Sequence, residues 1–261
     1  MDRSQAEIVT FTRASHNRVG NLPPLPSISV GQIAPIVRNA QDSERELVMA
    51  RWGMPGPRHF DGILINFIRN VNFAHLSPWL GAPNRCVVPW TSFCQFAPTV
   101  PRATPTWFAL GGDRPLAFFG GIATISHGAE GEEGEHGEHH AFGILTTVPN
   151  AEVARIHPKS MPVILRTADE IEFWMTAPFD EALKLRQPLP NGSLQIIAPG
   201  EREDCVPGPS FEAAECGRLR SSARHVAEAP EIETIIRDGI RGVASSASRQ
   251  PWRRARSSER R

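Results

Sequence analysis

Tyrosine is absent from the 261 residues, and lysine occurs only at Lys159 and Lys184. Arginine is the dominant cation, a bias that fits GC-rich coding and carries no function of its own. No stretch approaches the roughly 18 consecutive apolar residues of a membrane span, so a membrane partner is not expected. The N-terminal MDRSQAEIVTF lacks a basic region leading into an apolar run, which argues against a secretory signal. The four cysteines, Cys86, Cys94, Cys205 and Cys216, form no CxxC pair, which argues against a zinc ribbon or a disulfide scaffold. A reducing, cytoplasmic setting follows as the expectation. Phosphate-binding loops, GxSxG elbows and HExxH helices are also missing, and with them the usual sequence support for those enzyme classes. No internal repeat is present.

What is there suits one large domain, or one domain with an extension, and the length is ample for a core. The formal net charge of zero hides an uneven distribution. Residues 217–261 hold 11 arginines against five acids, leaving 17 basic and 23 acidic groups in the rest. Such a body lacks the bulk charge of an obligate duplex-DNA binder. Several of its acids sit in the run 128–140, GAEGEEGEHGEHH, beside His127, His136, His139 and His140. Histidine and carboxylate are metal ligands, but the glycines fix no geometry and no helical His spacing is present. A solvated hairpin loop is the better explanation, and neither a metal nor a cofactor is expected.

Ser4 and Glu7 stand in capping-box spacing and predict a helix over 4–15. Short apolar runs predict strands at 35–38, 46–52, 63–68, 85–89, 106–110, 116–125, 141–147, 161–165 and 194–198. Helices are expected near 150–157, at 168–176 capped by Thr167 with Glu170, and near 178–186 opened by Pro178. Many short strands with scattered helices indicate α+β with a curved, barrel-like sheet rather than alternating βαβ units. After about residue 200 the pattern collapses, and 201–261 is expected to be a disordered Arg/Ser-rich tail.

Cys86 and Cys94 lie among apolar neighbours, and buried cysteine is mostly inert packing. More informative are dispersed blocks: RWGMP (51–55), IRNV (68–71), NRCVVPWTSF (84–93), LAFFGGI (116–122), ILTTVPN (144–150) and IHPKSMPVIL (156–165). Trp52 can stack a base, Gly53 allows close backbone approach, and Arg69 can hold a phosphate. His157 stands at an expected helix end just before Pro158, where an imidazole can face a cleft. Any one of these taken alone is better explained by structure than by function.

In this order and spacing, the blocks resemble the SRAP family, the SOS-response-associated peptidases or abasic site processing proteins. The resemblance covers roughly residues 5–200 and rests on RWG, RCxxP and HPKxMPVIL. It implies an α+β fold with a barrel-like core and a groove for single-stranded DNA carrying abasic sites. It also implies a thiazolidine crosslink, formed when the amine and thiol of a cysteine at position two condense with the open-ring sugar aldehyde. An Asn, a Glu and a His line the family's pocket, and autocatalytic propeptide removal is proposed for some members.

Carried over residue by residue, the resemblance assigns acid/base work to His157. It places Gln95 where the family has glutamate, and a glutamine keeps hydrogen-bond geometry but cannot take a proton. Phe67 stands at the family asparagine, with Asn66 one residue off; on a strand that offset reverses the face unless a bulge intervenes. Position two is Asp2, and the family's opening strand is not evident. The expected catalytic set is therefore His157, Gln95 and Asn66, and the expected DNA-binding set is Trp52, Gly53, Arg69 and Lys159. The expected protein is a monomer that binds and crosslinks abasic single-stranded DNA. Its rivals are a non-catalytic single-strand-binding module with the same fold and a degenerate gene product.

Overall fold

The structure is a computed structural model and describes residues 5–23, 25, 27–40, 44–57, 63–99, 103–127 and 138–200. Helix α1 (Gln5–Thr12) leads into β1 (His16–Asn17), β2 (Ile33–Asn39), β3 (Arg45–Trp52), β4 (Met54–Pro55), β5 (Leu64–Ile65) and β6 (Phe67–Ile68). Then come β7 (Arg85–Trp90), β8 (Phe93–Ala97), β9 (Thr104–Ala109), β10 (Ala117–His127) and β11 (Glu138–Thr147). After α2 (Ala151–Ala154) the chain forms β12 (Met161–Pro162), β13 (Ile164–Leu165), α3 (Ala168–Thr176), α4 (Phe179–Ala182) and β14 (Gln195–Pro199).

Antiparallel pairing joins β3 to β2, β2 to β7, β7 to β10, and β10 to β11. The ring then closes: Ala141 and Phe142 of β11 pair in parallel with Arg51 and Trp52 of β3. Closure leaves neither β3 nor β11 as an open edge, which is what makes this mixed sheet a five-stranded barrel. Alternate side chains on each strand gather inside it: Ala34 and Ile36, Val48 and Ala50, Cys86 and Val88, Ala123, Phe142 and Ile144. The small interior has no room where β10 and β11 approach, since a Cβ at Gly121 would lie 2.8 Å from the Gly143 carbonyl oxygen. A second sheet, in the order β14–β9–β8, is separate from the barrel ladder.

The other face of the strands is buried under helices. Phe11 of α1 meets Phe118 with ring centroids 5.4 Å apart, and the Trp174 indole N–H of α3 donates to the Cys86 carbonyl at 3.0 Å. Buried on both faces, β7 reads as a near-continuous apolar run, with Arg85 as its exception. The Arg85 guanidinium donates to the carbonyls of Trp174, at 2.7 Å, and Ala177, so a buried cation satisfies the last turn of α3. At the other end of α3, Thr167 and Glu170 form the expected capping box.

The strand and helix expectations hold for most elements, and the α+β barrel-like class is what the structure has. Differences are local. The run at 63–68 breaks into β5 and β6 at Asn66, and the run at 161–165 breaks at Val163, whose two halves pair with different strands. The helix expected near 150–157 is the single turn α2, and that near 178–186 is α4 followed by a 3-10 turn, Leu183–Leu185. Strand β8 was not among the expected runs. Strands β10 and β11 pair out to His127 and Glu138, so Glu138, His139 and His140 of the acidic run belong to β11. Residues 128–137 of that run, the tail 201–261, Cys205 and Cys216 lie outside the described residues.

Candidate nucleic-acid interface

The barrel closes at the RWG block. Trp52 stacks on Phe142 with ring centroids 6.3 Å apart and meets the exposed Phe67 edge-on at 5.4 Å. Its indole N–H donates to the Asn66 carbonyl at 3.2 Å, so the ring is held in place at the seam. Gly53 then donates its backbone N–H to the Phe142 carbonyl at 2.8 Å. Its φ of +134° lies in a region that side-chain-bearing residues avoid, and a Cβ would sit 2.9 Å from Leu64 Cδ1. The close approach expected of Gly53 is therefore satisfied within the chain itself.

Asn66 occupies the break between β5 and β6. Its carbonyl accepts from both Trp52 and the Ile144 N–H, the latter at 2.9 Å, and its side-chain Oδ1 accepts from the Phe67 N–H at 2.9 Å. Ile65 and Ile68 are both buried although three positions apart, so period-two alternation fails across the break. Because β5 and β6 pair with different strands, Asn66 and Phe67 do not alternate within one continuous strand.

Beyond Ile68 the chain presents Arg69. Its guanidinium donates to the Lys159 carbonyl at 2.7 Å and so holds the segment that carries His157. Arg186, from the end of the 3-10 turn, donates to the Arg69 carbonyl and, at 2.6 Å, to the Thr146 carbonyl. The Thr147 hydroxyl in turn donates to the Arg186 carbonyl at 3.2 Å. At the start of α2, Asn150 Oδ1 accepts from the Val153 N–H; at its end, the His157 N–H donates to the Val153 carbonyl at 2.7 Å. His157 is half-buried and Lys159 exposed. Trp52, Gly53, Asn66, Arg69, Lys159 and His157 thus lie along one continuous series of contacts and chain segments.

Gln95 lies outside that series, on β8 of the second sheet opposite Thr106. The two described cysteines are both protonated near neutral pH. Burial pushes Cys86 strongly upward, and burial raises Cys94 to about 11 against a smaller lowering by a backbone hydrogen bond at Thr106. Among the described residues no group of three or more His, Cys, Asp or Glu is arranged to hold a metal ion, and no helix is long and apolar enough to cross a membrane.

Two features escaped the sequence reading. Arg186 belongs to no recognisable motif; only its backbone bonds disclose its role. The second is an aromatic group at 73–79, where His75 lies between Phe73 (5.8 Å) and Trp79 (5.2 Å). The His75 Nε2 is 2.9 Å from the Pro55 carbonyl, which can only accept, so that nitrogen carries the proton. Pro55 follows Gly53 by two residues, which sets these rings beside the seam. The spacing FAHLSPW could have drawn attention to them.

Comparison with solved structures supports the fold. A protein from Bordetella bronchiseptica superposes with a TM-score of 0.56 at 20% identity, covering 75% of this chain and 96% of its own. A phage-related protein from the same organism gives 0.52 at 17% identity, covering 73% and 87%. No curated protein matches the sequence. The sequence profile of the SOS response associated peptidase (SRAP) family matches residues 1–198. The chain therefore belongs to the SRAP family, which associates it with the SOS response to DNA damage.

Proposed function

We propose that this chain binds single-stranded DNA carrying abasic sites and processes them at the rim formed by Trp52, Asn66, Arg69 and the His157–Lys159 segment. The observation that carries this is the Arg69–Lys159 bond, which ties a cationic strand end to the segment bearing His157, a residue suited to acid/base work. Aromatic faces at Phe67, Phe73 and Trp79 supply sequence-tolerant stacking for bases, and Arg69, Lys159 and Arg186 supply positive charge for the backbone. At an abasic sugar His157 would donate or accept the proton that ring opening needs. Crosslinking of the family type further needs an amine and thiol on one residue.

The second reading, a binding module without the chemistry, is favoured by Gln95 in the glutamate position and by two described thiols that burial keeps protonated. One experiment separates the two. The full chain is incubated with single-stranded oligonucleotides that are intact or carry one abasic site, and binding and denaturing-gel mobility are both read. The processing function predicts tighter binding to the abasic strand and a heat-stable adduct that weakens in His157→Gln. Equal, salt-sensitive binding to both strands with no adduct selects the module, and no binding at low salt overturns both.

A further inference from the structure

The sequence contains one Asn-Gly pair, Asn191–Gly192. It occupies an exposed turn in which the Ser193 N–H donates to the Pro190 carbonyl at 3.2 Å and Gly192 has φ of +85°. Asn-Gly is the pair in which the following backbone nitrogen most readily reaches the side-chain amide carbon, because glycine has no Cβ to obstruct it. In this turn both reacting groups are already engaged. Asn191 Oδ1 accepts from the Ala151 N–H at 2.9 Å. The Gly192 N–H donates to Glu152 Oε1 at 2.7 Å, while Glu152 Oε2 accepts from Asn150 Nδ2 at 2.6 Å.

These contacts are complementary to one reaction. A carboxylate within hydrogen-bond reach of the nucleophile's proton is placed as a general base. An N–H aimed at the carbonyl oxygen is placed to stabilise the negative charge that develops there. We propose that Asn191 is a self-modification site, where Glu152 and the Ala151 N–H promote deamidation through a cyclic imide.

In the first step the Gly192 nitrogen bonds to the Asn191 side-chain carbonyl carbon, and the proton it loses passes to Glu152. The bond from that carbon to Nδ2 then breaks, and the nitrogen leaves as ammonia with that proton. Water opens the imide at either carbonyl, giving aspartate or isoaspartate. The sum is one water consumed and one ammonia released, with no change of oxidation state. Either product sets a second carboxylate beside Glu152, and isoaspartate also lengthens the backbone at a turn that braces α2. The segment so loosened is the one that leads to His157.

The test is a time course of the intact chain in neutral buffer, with the Asn191 peptide followed by mass spectrometry and isoaspartate scored enzymatically. Asn191→Gln serves as the control that abolishes the signal. Asn191 is expected to convert faster in the folded chain than in the same chain unfolded in guanidinium, and Glu152→Gln to slow it by roughly tenfold or more. Ala151→Pro removes the N–H donor at a first-turn position that accepts proline, after an Asn150 already extended at ψ of 177°. It slows the reaction as well, and circular dichroism verifies that each variant is folded. Slower conversion in the folded than in the unfolded chain overturns the proposal, as does a rate unchanged or increased in both folded variants.

Discussion

The Arg69 guanidinium donates to the backbone carbonyl of Lys159 at 2.7 Å, joining a strand end to a loop 90 residues further along the chain. An arginine in this position has two calls on it, one from the loop and one from any phosphate that approaches. Arg69→Ala is therefore expected to weaken single-strand binding and to flatten its salt dependence by about 0.7 in the logarithmic slope for one lost phosphate contact. Arg69→Lys keeps the charge but loses the planar fork, so the slope recovers more than the affinity. Fluorescence anisotropy across a salt series reads both quantities.

Stacking gives the opposite signature. Trp79→Ala is expected to lower single-strand affinity by about 1–3 kcal/mol while leaving the salt slope nearly unchanged. The same titrations check it, and an unchanged affinity would exclude the 73–79 aromatics from the interface.

Gly53→Ala is expected to destabilise the fold by about 2–4 kcal/mol, combining backbone strain with the clash at Leu64. Urea unfolding measures the loss. In the Gly53→Ala/Leu64→Ala double variant the contacts with Cγ and Cδ1 are relieved while the Cβ contact at 3.0 Å and the backbone strain remain, so the two changes are non-additive.

Much of the fold was legible in the sequence because its strands are short, apolar and bounded by turn residues. Thr167 and Glu170 placed α3 to the residue. Strand β8 was not legible: Cys94, Gln95 and Phe96 show no clean alternation, and Phe96 remains exposed. At the candidate site, the RWG and HPK blocks mark segments that the structure links through Asn66 and Arg69. Their meaning differs by residue, however. Gly53 is explained by Phe142 and Leu64, and Trp52 by the seam, whereas Arg69 reaches the segment of His157 through a bond to the Lys159 carbonyl that no spacing encodes. Arg186 acts through two backbone carbonyls, so it carries no motif at all.

Arg85, the arginine of the RCxxP block, is read from the structure as a helix anchor. Arg85→Met leaves two carbonyls of the last turn of α3 without donors and is expected to cost about 3 kcal/mol. Urea unfolding again measures it, and DNA binding per folded molecule should be unaffected.

Glu46 of β3 bridges Arg18, just after β1, at 2.6 Å and Arg38 of β2 at 2.7 Å. Burial alone would raise its carboxyl, but hydrogen bonds and charge from the two arginines outweigh that and leave it below the ordinary value of 4.5. A depressed native value means that its contribution is complete above the ordinary range and is lost as pH falls through the native value. The stability difference between wild type and Glu46→Gln is therefore expected to be flat near neutrality and to shrink in acid. Thermal unfolding across pH checks it.

The parallel seam between Trp52 and Phe142 also has a consequence for how the molecule is made. Its two strands belong to distant parts of the chain, so the ring-closing pairing has high contact order and a large loop-closure cost. During synthesis β3 emerges long before β11 exists to cover it. Until then the nascent sheet exposes an unpaired edge, and the rim that holds Trp52 and Asn66 has not yet been assembled. Any activity of this rim thus arises only after the last barrel strand has docked.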